Sequence, residues 1–88
     1  MIRRRVVVWG RVQGVFFRDT VRRAALAARV AGWVRNNPNG TVETVLEGDP
    51  AAVERIVRLC RNGPRGAQVE RVAVSSESPE GLSGFSIR

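Results

Sequence analysis

The stretch GRVQGVFFRD, Gly10 to Asp19, sets two glycines and an arginine at a point where a strand-like run gives way to helical spacing. Backbone N–H groups at the start of a helix have no intrahelical acceptor, and the helix dipole adds partial positive charge, so such a corner suits an anion of phosphate size. A glycine there permits positive φ and a close approach of the backbone to a ligand. Arg18 adds a fixed charge with a bidentate fork. The same spacing also fits an ordinary strand-to-helix turn in which Gly14 only redirects the chain. Phe16 and Phe17 read as core anchors rather than as a base-stacking platform.

GWVRNNPNG, Gly32 to Gly40, is the other stretch with polar groups in a defined place. Trp33 and Val34 alternate as strand residues do, with Trp33 read as core packing. Asn36 and Asn37 fall where the strand runs into a turn, and turn formation alone accounts for them. Asn39-Gly40 is suited to positive φ.

These residues need strands and helices to hold them, and the pattern along the chain supplies both. Arg5 to Val12 is β-branched and aromatic, a strand buried on at least one face. Phe17, Val21, Ala24, Ala25 and Ala28 share one helical face up to about Arg29, with Asp19 and Arg23 able to pair at i, i+4. Ala31 to Asn36 and Thr41 to Gly48 form a hairpin. Asp49 caps and Pro50 opens a second helix carrying Val53, Ile56, Val57 and Cys60, which Gly63 and Pro64 stop. Ala67 to Ser76 is a fourth strand, and FSI near the C-terminus a short closing one. This order predicts an α+β, ferredoxin-like βαββαβ sandwich, an antiparallel sheet with both helices packed on one face.

Composition bounds what such a domain can do. With 88 residues the chain supports one domain, residues 1–88, burying roughly 60% of its unfolded surface. Its hydrophobic content of 43% against 26% charged residues is globular, not disordered. Cys60 is the lone cysteine, which excludes an intramolecular disulfide, and no histidine is present to serve as an imidazole base or zinc ligand. The apolar run after MIRRR is too short for a signal-peptide core, and nothing approaches a membrane span. A soluble, reducing, cytoplasmic setting fits. The net charge of +7 attracts anions, whether nucleic acid, phosphorylated metabolites or acidic membrane surfaces. A basic βαββαβ chain also describes RNA-recognition modules, but only Trp9 and Trp33 fall on the inner strands and no aromatic GFGFV-like run is present.

GRVQGVFFR, followed by GWVRN, NGTVE, GP and a terminal F-I, resembles acylphosphatase, a small ferredoxin-like hydrolase family, over nearly the whole chain. The resemblance implies that Gln13, Gly14, Val15, Phe16, Phe17 and Arg18 wrap the phosphate with backbone amides, with the Arg18 side chain on the phosphoryl oxygens. It further implies that Asn36 orients the attacking water and that the Thr41 hydroxyl supports Asn36. Asp19 and Glu43 take no part and are read as solvated or helix-dipole residues. The implied partners are small-molecule acyl phosphates and inorganic phosphate, not nucleic acid or membrane, and the enzyme is a monomer. No metal and no cofactor are called for. An accessory acylphosphatase-like module in carbamoyl transfer is the alternative within the same resemblance. The chain departs from the family pattern at Arg29, where a glycine is frequent, and at Asn39-Gly40, where Asp-Gly is frequent.

Overall fold

A computed structural model describes all 88 residues. Strands β1 (Ile2–Arg11), β2 (Ala31–Asn36), β3 (Val42–Gly48), β4 (Gln68–Glu77) and β5 (Phe85–Ile87) alternate with helices α1 (Phe17–Ala27) and α2 (Pro50–Asn62). They form one sheet in the order β4-β1-β3-β2-β5. The four longer strands pair antiparallel, as the sequence pattern predicts, while β5 runs parallel to β2 and makes the sheet mixed.

One face of the sheet meets both helices. Val6 and Val8 of β1, Val34 of β2, and Val42 and Leu46 of β3 join Phe17, Val21 and Ala25 of α1 and Val53, Ile56, Val57 and Cys60 of α2 in a single core. Spacing of i, i+4 and i+8 in α1 and of i, i+3, i+4 and i+7 in α2 gives each helix one apolar stripe. Burial pushes the Cys60 thiol up to about 12, which leaves it an inert core side chain.

The opposite face is polar and largely internally paired. Arg3 donates to Glu47 at 2.7 Å and to Glu77 at 2.7 Å, and Arg5 donates to Glu43 and to Glu77. The Glu47 carboxylate also accepts from the N–H groups of Glu80, Gly81 and Leu82. β1 thus starts ahead of the expected Arg5 and takes in Arg3, which meets Glu47 and Glu77, and Arg4, which lies 3.7 Å from Glu54 of α2. Trp33 is buried on this polar face and not in the helix-side core. The guanidinium groups of Arg5, Arg35 and Arg88 lie 5.5, 4.9 and 4.7 Å from its ring centroid, so the Trp33 ring is covered.

Both ends of the helices follow local rules. Asp49 accepts from the N–H groups of Ala51 and Ala52, the cap expected of it. Helix α1 closes in a Schellman arrangement, with Val30 N–H donating to the Ala25 carbonyl and Arg29 N–H to that of Leu26. Arg29 holds the left-handed position at φ 57°, so the geometry usually given to glycine is kept by an arginine.

Candidate active site

The chain leaves β1 at a bulge between Trp9 and Gly10, where β4 approaches so closely that a Cβ on Gly10 would lie 2.1 Å from the Gln68 carbonyl oxygen. It then turns through Gly14 at φ 75° and Phe16 at φ 62° into α1. No side chain caps this helix. Its first hydrogen bond runs from the Thr20 N–H to the Phe16 carbonyl, so the N–H groups from Gly14 to Asp19 have no partner within the chain. Consecutive unpaired N–H groups at a helix N-terminus form a ready anion site.

A cavity of about 460 Å³ opens at this corner, lined in part by Gly14, Arg18, Asp19 and Asn36. Arg18 is exposed and has no carboxylate within salt-bridge reach, while Asp19 pairs with Arg23 at 3.0 Å as its i, i+4 spacing predicts. Asn36 reaches the cavity from the end of β2, and its Oδ1 is buried without a hydrogen-bond partner. The two polar side chains singled out in the sequence thus meet at one site.

Other expected site residues are placed differently. Phe17 is a core anchor, but Phe16 is 81% exposed, because its left-handed backbone turns it away from the core. The Thr41 hydroxyl does not engage Asn36: it donates to Asn39 Oδ1 at 2.7 Å and accepts from Asn37 Nδ2 at 3.0 Å. Strand alternation is the reason. Asn36 pairs with Val42 on the helix side, whereas the Asn37 side chain reaches Glu43 on the other side. In the hairpin Gly40 alone takes positive φ, and Asn39 acts through its side chain.

Two side chains shape the site in ways the sequence does not signal: Gln13, expected there only as part of the backbone loop, and Glu43, expected to be solvated. The Gln13 side chain donates to the carbonyls of Asn37 and Thr41 and ties the glycine corner to the hairpin. Glu43 is buried rather than solvated, accepting from Asn37, Arg35 and Arg5. Burial pushes its carboxyl up, but the hydrogen bonds from Asn37, Arg35 and Arg5 outweigh this and hold it below the usual range.

Comparison with known proteins agrees with this arrangement. The acylphosphatase family model matches residues 4–87. An acylphosphatase from Gloeobacter violaceus is 54% identical over 86 residues, spanning 98% of this chain and 92% of its own. The crystal structure of acylphosphatase from Bacillus subtilis superposes with a TM-score of 0.96 at 39% identity, covering 100% of this chain and 99% of that one. The structure of T. kodakarensis HypF also contains this fold, at a TM-score of 0.81 and 32% identity, but the match covers 12% of that protein. A family match over nearly every residue, joined to a cavity that brings Arg18 and Asn36 together, shows that the chain belongs to the acylphosphatase family.

Proposed function

We propose that the chain hydrolyses small-molecule acyl phosphates to carboxylate and inorganic phosphate, with the Gln13–Arg18 loop and the Arg18 guanidinium binding the phosphoryl group and Asn36 positioning the water. The observation that supports it is the meeting of Arg18, which lacks an ion-pair partner, and Asn36, which has an unpaired oxygen, at the unpaired N-terminus of α1.

The chemistry asks little more of the protein. The leaving carboxylate has a conjugate acid of pKa about 4 to 5, by analogy with side-chain carboxyls, and departs as an anion near neutral pH. No general acid is needed, which suits a chain without histidine. The phosphoryl group passes through a loose transition state, so positioning and charge stabilisation supply most of the rate. Backbone N–H groups and the Arg18 fork offset the charge on the equatorial oxygens. The Asn36 amide fixes the direction of the water. The enzyme works as a monomer in the cytoplasm, where a single free thiol is at home; sedimentation of the purified chain tests the first point.

The test is phosphate release from benzoyl phosphate, with and without a chelator, by the wild type, Arg18→Ala and Asn36→Ala. The wild type is expected to turn over with chelator present, and both variants to lose about a hundredfold or more. Only Asn36→Ala is expected to remain inhibited by inorganic phosphate as the wild type is. Normal turnover by Asn36→Ala, or equal phosphate inhibition of Arg18→Ala, would remove the corresponding role.

A further inference from the structure

Phe16 is the residue of the corner that neither packing nor backbone preference explains. Its phenyl ring is 81% exposed, and its φ of 62° and ψ of 26° lie in the left-handed region, which a bulky L side chain enters only at a cost. Glycine or asparagine would meet the backbone requirement with less strain. What Phe16 contributes is therefore its exposed side chain, on a residue that lines the same cavity as Arg18 and Asn36.

Ile87 lines the same cavity and is 42% exposed. It lies in β5, in register with Val34 of β2, two positions before Asn36. Val12 and Phe17, both buried, complete the apolar half of the lining. At about 460 Å³ the cavity falls in the range of sites for small organic ligands, larger than a phosphate and one water require. Loop N–H groups and Arg18 account for the phosphoryl group, and the core accounts for Val12 and Phe17, but the exposed side chains of Phe16 and Ile87 have no use in either role.

We infer that Phe16 and Ile87 form the subsite for the acyl group and set the preference of the enzyme toward acyl phosphates with an apolar chain or ring, over acetyl or carbamoyl phosphate. This rests on the phosphate site proposed above. An apolar acyl group bound against Phe16 and Ile87 removes both side chains from water along with its own surface. An acetyl group is too short to cover them, and a carbamoyl group would place its amide against apolar carbon.

Acetyl, butyryl and hexanoyl phosphate separate this from leaving-group effects, because their carboxylic acids are nearly equal in strength. For the wild type kcat/KM is expected to rise about twofold per added methylene, roughly tenfold or more across the series, short of the value for full burial because the cavity is open. Phe16→Asn suits the left-handed backbone, and Ile87→Ser alters one exposed position. In each the hexanoyl-to-acetyl ratio is expected to fall to about 2 to 3, a readout that any general loss of activity leaves intact. Inhibition by inorganic phosphate, measured alongside, reports the phosphate site separately. A flat series in a wild type that phosphate inhibits, or an undiminished ratio in both variants, overturns the subsite alone. A wild type that hydrolyses none of the three and ignores phosphate overturns the functional reading, and the subsite with it.

Discussion

The Gln13 side-chain amide donates to the Asn37 carbonyl oxygen at 2.8 Å, joining the glycine corner before α1 to the hairpin that follows Asn36. A second bond, to the Thr41 carbonyl at 3.0 Å, fixes the same amide. The α1 N-terminus and the end of β2 are thereby held as one unit, although they are distant in sequence. Gln13→Ala is expected to lower kcat by about tenfold through loosened alignment, while costing about 1 kcal/mol of stability for the lost hydrogen bonds. Gln13→Glu is expected to be worse on both counts, since it turns a carboxylate oxygen toward two carbonyl oxygens. Steady-state kinetics and urea unfolding of the two variants check this, and wild-type behaviour of both would show that the bonds do not matter.

Asn36 carries a structural cost that its proposed role explains. A buried, unpaired amide oxygen costs about 1–3 kcal/mol, so removing it relieves the fold. Asn36→Ala is expected to unfold at an equal or higher urea concentration than the wild type while turnover falls about a hundredfold or more. A variant that loses stability along with activity would indicate a structural asparagine.

Much of this arrangement is legible in the chain because it rests on local signals. The change from strand to helical spacing after Gly14, the Asp49-Pro50 cap and the Asn39-Gly40 turn are each set by neighbouring residues, and each element appears where the pattern puts it. Arg18 and Asn36 stand out because their flanking residues form recognisable motifs. What is not legible depends on partners distant in sequence. Arg3 lies ahead of the strand read as starting at Arg5, and the carboxylates of Glu47 and Glu77 that it meets across the sheet are far away in sequence. Phe16 looks like its neighbour Phe17, and only the left-handed backbone separates an exposed ring from a buried one. The assignment of Thr41 to Asn37 and not to Asn36 turns on which side of the sheet each side chain takes, a matter of register rather than of residue type.

Arg29 offers a direct gain in stability. It occupies the left-handed C-terminal position of α1 at φ 57°, where a non-glycine residue costs roughly 1–2 kcal/mol, partly returned because glycine is more flexible when unfolded. Arg29→Gly is expected to stabilise the chain by about 0.5–1 kcal/mol and raise Tm by several degrees, with kcat unchanged because Arg29 is not among the residues lining the candidate-site cavity. Thermal unfolding followed by circular dichroism checks it. An unchanged or lowered Tm would mean that the Arg29 side chain has a favourable role that outweighs its backbone strain.

The polar face of the sheet sets the response to acid. Hydrogen bonds from Arg5 and then Arg3 lower the Glu77 carboxyl from 4.5 to about 2. At Glu47 burial pushes the carboxyl up, but the N–H groups of Glu80, Leu82 and Gly81 together with Arg3 outweigh it and hold the carboxyl low. Glu43 shifts in the same direction. A carboxylate whose folded pKa is depressed contributes stability that is fully present above its unfolded pKa and disappears as pH falls through the folded one. The urea midpoint is therefore expected to hold steady above about pH 5 and to fall progressively toward pH 2. Glu77→Gln is expected to be less stable than the wild type at neutral pH and to lose less on acidification, so that the two curves approach each other near pH 2. Parallel curves across that range would show that Glu77 makes no ionisation-linked contribution and that the Arg3 and Arg5 contacts act only by packing.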